Sequence, residues 1–500
     1  MFRPVVVCFE RVFWRGQRGG AMKRGAVPRV RSQRTLAGEA RMGFLSTLKL
    51  GWLGVWAVVN LPCGVVSADT TRSVKPNVVV LLASGVSAGD LGWESASRGG
   101  KAPQISSLAA NGVRCEVAYT SGFQAGPARA ALLTGRYQSR FGFESNIPAR
   151  RAADAGLPVR EMTLAERLRS AGYVTGMVGE WHLGSAVAMR PYNRGFQETF
   201  WHPGGASPLI APGNAAKEMM RGDQKQQIAE SQADSMVREA LDFIERNQET
   251  PFFLFLSFPG SLTSTLPAAE GSGDLASLQD PNRTGRVAIL DRSVGLVLAK
   301  LREKGIEESS LVVFLSDKGV RFEKLARNGA PRTGESGAEG TNVRQPMRGE
   351  RSFFWEKIIR IPMVWQWKGH LPAGKVYRAP VVSLDLFSTA LAAAGIASGK
   401  PESIDGVNLL PYLEGQRMES PHPALFWRVR SPLAQEMTQN WAIREGRWKL
   451  VQTEGMSPAL FDLEEDPQET HDLSEDLPAQ VELLSESWKR WAVGLRPPLW

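Results

Sequence analysis

Three side chains stand out for the chemistry they could do. Arg129 closes the run Ala125-Gly126-Pro127-Ala128-Arg129, at the opening of a helical stretch, 128–136. The N–H groups at a helix start favour anions, and a guanidinium adds forked donors. His182, in Gly-Glu-Trp-His-Leu-Gly (179–184), could carry a proton near neutral pH. Asp317 is followed by Lys318, and one carboxylate beside an ammonium does not make a divalent-cation site, which takes several oxygens. Lys318 or Arg351 could neutralise Asp317 instead. Each residue also has a quieter reading. Arg129 could be a buried helix residue paired with Glu180, and His182 a satisfied structural histidine. Cys115, in an alternating strand-like stretch, reads as a small buried apolar residue rather than a reactive thiol.

Alternating strands and helices must position these groups. Continuous apolar runs at 77–84, 251–258, 309–317 and 361–367 read as buried strands. Helical spacing occupies 102–112, 228–247 and 286–304, while 163–179 joins an amphipathic helix to a further strand. This order predicts an α/β fold, a large parallel or mixed sheet flanked by helices. In such sheets sites lie beyond the carboxyl ends of strands, here after Ala83, Gly179, Phe258 and Ser316. Past 415 the texture changes to short segments at 424–430, 440–452 and 458–467 and a helix at 478–492. These predict a small antiparallel sheet with one helix. The acids of 462–469, Asp-Leu-Glu-Glu-Asp-Pro-Gln-Glu, read as a surface turn without chemistry, and the Arg/Gly-rich stretch 319–351 as a solvated loop.

The net charge of +9 is not a nucleic-acid signal. Of 60 Lys/Arg and 51 Asp/Glu, 11 basic and two acidic residues lie in 1–68, leaving 69–500 with 49 of each. Residues 1–41 read as a basic extension or a misassigned start, and 42–68 has the layout of a secretory signal peptide. The expected organisation is therefore 69–415 as an α/β domain and 416–500 as a subdomain, exported to periplasm or exterior. The leader's apolar run is too short for a stable membrane span. With Cys8 and Cys63 in the leader, Cys115 has no intrachain partner after cleavage.

Seven stretches then resemble, in order, the sulfatases of the alkaline phosphatase superfamily: 75–93, 126–142, 179–184, 251–258, 312–319, 443–451 and 460–473. The resemblance implies the sulfatase fold and a site using calcium and a formylglycine made from Cys or Ser. At the formylglycine position stands Ala125, whose methyl group cannot become that aldehyde. The calcium positions read Ser84, Gly85, Asp317 and Lys318, of which only Asp317 is a carboxylate. The sulfate-handling positions read Glu180 for a Lys, Leu262 for a His and Arg351 for a Lys, while Arg129 and His182 are kept. Asp90 reads as structural. These replacements lead to the expectation of a secreted, catalytically silent protein with no metal or cofactor, binding a sulfated glycan or other anionic ligand through Arg129, His182 and Arg351. A sulfuric ester hydrolase with residual or non-standard activity is the alternative.

Overall fold

The computed structural model describes residues 75–93, 102–204, 217–260, 283–319, 354–398, 403–430 and 439–500. The expected leader, Leu262, Arg351 and most of the 319–351 loop lie outside them.

The first strand, β1 (Asn77–Ala83), is buried along its whole length, as an apolar run covered on both faces should be. Parallel neighbours flank it: β8 (Phe252–Ser257) on one side, β9 (Ser310–Ser316) on the other. Beyond β8 the sheet continues through β4 (Val174–Glu180) and β5 (Glu198–His202), both parallel. It ends in the antiparallel hairpin β6 (Glu218–Arg221) and β7 (Gln224–Gln227). Beyond β9 come antiparallel β10 (Met363–Gln366), then β2 (Val113–Cys115) and β11 (Lys375–Tyr377). The sheet thus has ten strands and is mixed. A separate two-stranded ladder joins β3 (Ala118–Tyr119) to β12 (Val381–Val382).

Alternation along β1 builds two cores, because successive side chains point to opposite faces. Val78, Val80 and Leu82 pack with α2 (Ala125–Thr134), α3 (Leu164–Ser170) and α7 (Asp385–Ala393). Val79, Leu81 and Ala83 pack with α1 (Pro103–Ala110), α4 (Gln232–Asn247) and α5 (Arg283–Glu303). Local signals start two of these helices. Thr163 and Glu166 form a reciprocal capping box on α3, and the Ser231 hydroxyl accepts from Asp234 N–H on α4.

The C-terminal sheet is antiparallel: β13 (Ala424–Arg430), β14 (Gln439–Glu445), β15 (Trp448–Gln452) and β16 (Ala459–Asp462). One face takes helix α9 (Pro478–Ala492) through Leu484 and Trp488. The other packs Leu425, Trp427 and Val429 against Tyr119, Phe354 and Ile358. Two further helices are short, α6 (Glu356–Ile359) and α8 (Leu410–Glu414).

Cys115 is buried at the end of β2, and its thiol is pushed up first by burial and then by Asp385, which leaves it unreactive. Asp90 accepts from Ser87 N–H (2.8 Å) and the Ser87 hydroxyl (2.9 Å), a turn-holding role. The surface-turn reading of 462–469 needs correcting. Glu469 is buried and sits at φ +58°, where its carboxylate meets Lys449 (2.6 Å). Among the described residues no helix is long and apolar enough to cross a membrane.

Candidate active site

The carboxyl ends of β9, β1, β8 and β4 lie side by side, and the singled-out residues converge there. Arg129, in the second turn of α2, has no solvent exposure. Its Nη2 donates to Glu180 Oε2 (3.1 Å), and its Nε and Nη2 donate to Ser257 Oγ (3.3 and 3.2 Å). Its Nη1 lies 3.0 Å from Asp317 Oδ2, an ion contact without hydrogen-bond alignment. The helix therefore begins earlier than its sequence suggests, at Ala125, and one guanidinium ties the ends of three strands together.

Asp317 is fully buried and held from two sides. Opposite Arg129, its Oδ1 accepts from Gly85 N–H (3.2 Å) and from Lys318 Nζ (3.1 Å). The Lys318 ammonium also donates to Ser84 Oγ (3.0 Å). Gly85 sits at φ +72°, the left-handed conformation that glycine adopts without strain and that aims its N–H at the carboxylate. Lys318 is thus a neutralising neighbour of Asp317, while Arg351 lies outside the described residues.

His182 meets the same cluster through Glu180. Its Nε2 lies 3.1 Å from Glu180 Oε1, so Nε2 carries the proton and Nδ1 is left as the basic nitrogen. Between the two residues, buried Trp181 anchors the strand end by donating to Met189 O (2.9 Å). His182 holds φ +61°, a strained conformation for a side-chain-bearing residue, with its N–H on Pro203 O. Burial alone would raise the Glu180 carboxyl. His182, then Arg129 and Lys318, outweigh it and hold the carboxyl well below the ordinary range. Glu180, His182 and Lys318 are 14%, 13% and 13% exposed, so these three, and not Arg129 or Asp317, are reachable by a ligand.

Several residues that sequence reasoning missed complete the surroundings. Ser257 is the last residue of β8 and His202 the last of β5, so the strand-end rule could have flagged both. His202 donates nothing to Gly204, whose N–H instead reaches His202 Nδ1 (3.0 Å). Its Nε2 is buried with no partner among the described residues. Burial holds this ring below its usual pKa, with Glu180 opposing and His182 adding to the effect, so it stays neutral. Asn146 caps the start of α2 by accepting from Gly126 N–H (2.9 Å). A side chain at Gly126 would meet the His182 carbonyl, which places the start of α2 against the histidine.

Neither group implied by the resemblance fits these residues. Ala125 offers a methyl group. A calcium ion needs six to eight oxygens at about 2.3–2.6 Å. Here the Lys318 ammonium lies between Ser84 Oγ and Asp317 Oδ1, and Glu180 is engaged by Arg129 and His182. Among the described residues there is no group of three or more His, Cys, Asp or Glu that could hold a metal.

Fold and site together define an α/β protein with a charged cluster at the carboxyl edge of a mixed sheet. The chain belongs to the sulfatase family: the Sulfatase profile matches residues 76–396, and the N-sulphoglucosamine sulphohydrolase C-terminal profile matches 349–491. It is 32% identical to N-acetylgalactosamine-6-sulfatase of Canis lupus familiaris, over 73% of this chain and 70% of that protein. It is 27% identical to Arylsulfatase D of Homo sapiens, over 81% and 84%. Among solved structures, Ps i-CgsB in complex with k-i-k-neocarrahexaose is similar at TM-score 0.71 and 27% identity, covering 85% of this chain and 94% of that one. These findings correct the expectation of a catalytically silent binding protein. The proteins it resembles over most of its length are named as sulfatases.

Proposed function

We propose that the chain hydrolyses sulfate esters of sugars, with water as the nucleophile in place of a side-chain aldehyde. The observation that carries this is the Glu180–His182 pair, partly open and set against the start of α2. Glu180 fixes the imidazole with Nε2–H toward itself, which leaves Nδ1 to take a proton from water. The water oxygen bonds to sulfur as that proton passes to His182. The sulfur–oxygen ester bond breaks, and the departing sugar oxygen takes a proton from solvent as His182 releases its own. The products are sulfate and a free hydroxyl. Lys318 is the cation within reach of the sulfuryl oxygens. The carbohydrate class is supported by the sulfatase names of the relatives and by the oligosaccharide held by the similar structure.

The test is turnover of a chromogenic sulfate ester and of a panel of sulfated monosaccharides by wild type and His182→Gln. Wild type should turn over, and the variant should lose about 10²–10⁴-fold in kcat with little change in KM. Equal rates would remove His182 as the base. No turnover of any substrate by wild type would sink the hydrolytic reading.

A further inference from the structure

We infer that Lys318 is a built-in cation: its ammonium takes the place between the ends of β1 and β9 that a divalent ion would fill, and the cluster is complete without metal. Three observations carry this. First, the ammonium makes hydrogen bonds of 3.0 and 3.1 Å to Ser84 Oγ and Asp317 Oδ1, ordinary lengths for a charged nitrogen donor. A metal bound to both oxygens would have to occupy the same space.

Second, two fixed cations and one backbone donor surround the buried Asp317 carboxylate, with hydrogen bonds on Oδ1 and an ion contact alone on Oδ2. Arg129 contacts Oδ2, while Gly85 N–H and Lys318 share Oδ1. The residue at position 85 thus supplies a backbone donor to the carboxylate, the opposite polarity from a metal ligand. Val86 N–H donates in turn to Ser316 Oγ (3.1 Å), which locks the loop after β1 onto the end of β9.

Third, the charges already balance. Two cations, Arg129 and Lys318, face two anions, Asp317 and Glu180. Adding a divalent ion would leave two positive charges uncompensated where burial penalises them. Glu180, paired with Arg129 at the β4 end, is the second carboxylate in that balance.

The inference does not depend on the hydrolytic reading, because its readouts are metal content and melting temperature. Elemental analysis of the full chain, purified without chelator, should find no stoichiometric divalent metal. Wild-type Tm should be the same in chelator and in millimolar calcium. Lys318→Asn removes the ammonium and offers an amide oxygen. It should melt several degrees lower in chelator and regain part of that loss when calcium is added. Stoichiometric metal in wild type whose removal lowers Tm would overturn the inference. So would a Lys318→Asn variant that melts like wild type in chelator, or one that gains nothing from calcium. If Lys318→Asn does not fold, the wild-type metal content and chelator response decide the matter alone.

Discussion

Two charge clusters in this molecule use the same residue types to opposite effect. At the sheet edge Arg129 and Lys318 face Asp317 and Glu180, and three of the charged or titratable side chains there keep a partial opening to solvent. At the junction with the C-terminal sheet, Lys449 has no exposure and contacts two carboxylates, Glu356 (2.8 Å) and Glu469 (2.6 Å). The Tyr119 hydroxyl donates to Glu356 Oε2 (2.8 Å), Arg444 reaches that hydroxyl, and Glu356 N–H donates to Glu469 Oε2 (2.8 Å). The first cluster is balanced, with a histidine at its rim. The second has one carboxylate more than its ammonium can neutralise. Burial raises the Glu469 carboxyl to about 7, with Lys449 opposing and Glu356 adding to the rise. The odd acid becomes a titrating group in a sealed place. Charge balance and access to solvent separate the two clusters.

The contrast breaks most visibly at Lys449. Lys449→Met would leave two buried carboxylates facing each other, and removing one partner of a buried ion pair costs about 3–5 kcal/mol. We expect that loss in urea unfolding at pH 8 and a smaller one at pH 5.5, where Glu469 is protonated. The Lys318 variant should lose less, because its ammonium is partly solvated. A Lys449→Met protein as stable as wild type would mean that the clamp is held by packing alone.

A smaller effect sharpens the same point through pH. The Glu469 carboxyl ordinarily titrates near 4.5 and is raised to about 7 in the fold, so between these values the native state holds more protons than the unfolded chain. Its contribution is fully present below pH 4.5 and is lost as pH rises toward 7. Glu356 works the other way: burial would raise its carboxyl, but Lys449 and its other donors lower it, so its contribution fades only as pH falls below 4.5. Burial also raises the Asp291 carboxyl to about 6, so the share of Glu469 in the window from 4.5 to 7 is read by difference. Wild-type urea midpoints should fall across it, and Glu469→Gln should flatten that fall. Parallel slopes for the two proteins would contradict the assignment.

The two clusters also differ in how far the sequence revealed them. The strands β1, β8 and β9 were legible because a strand buried on both faces must be apolar throughout, and their carboxyl ends located the site. The Arg129–Glu180 pair and the Lys318–Asp317 contact were legible too, since buried charges need partners and these were the nearest in the motif order. Ser257 beneath the guanidinium was not, because it lies 128 residues from Arg129 and reaches it only through sheet register. The junction was misread outright. Glu469 sits in a run of acids that looks solvated, and nothing local reports that β15 delivers Lys449 beneath it. The inference that altered site residues imply inactivity is overturned from outside the site, by the chain's likeness to proteins named as sulfatases over most of its length.

The finest distinction between the clusters is tested at Gly204, which belongs to the rim and not to the charges. Its φ of +71° is one that glycine adopts freely, and an added Cβ would lie 2.3 Å from His182 Cδ2 and 2.7 Å from Nε2. Gly204→Ala must therefore pay roughly 1–2 kcal/mol for a left-handed alanine and also displace the imidazole. The stability change should be smaller than that of Lys449→Met. Its effect on the histidine should be disproportionate, because moving Nε2 by a fraction of an ångström weakens the 3.1 Å contact to Glu180 that fixes the tautomer. Ring nitrogen chemical shifts of His182 should change in Gly204→Ala and stay at wild-type values in Lys449→Met at low denaturant. Turnover per folded molecule should follow the same order, reduced in Gly204→Ala and preserved in Lys449→Met. If Gly204→Ala leaves both the ring shifts and turnover untouched, the histidine is not held by this cradle. The rim then has the freedom of a surface side chain, and the division between a reactive edge and a sealed clamp loses its sharpest support.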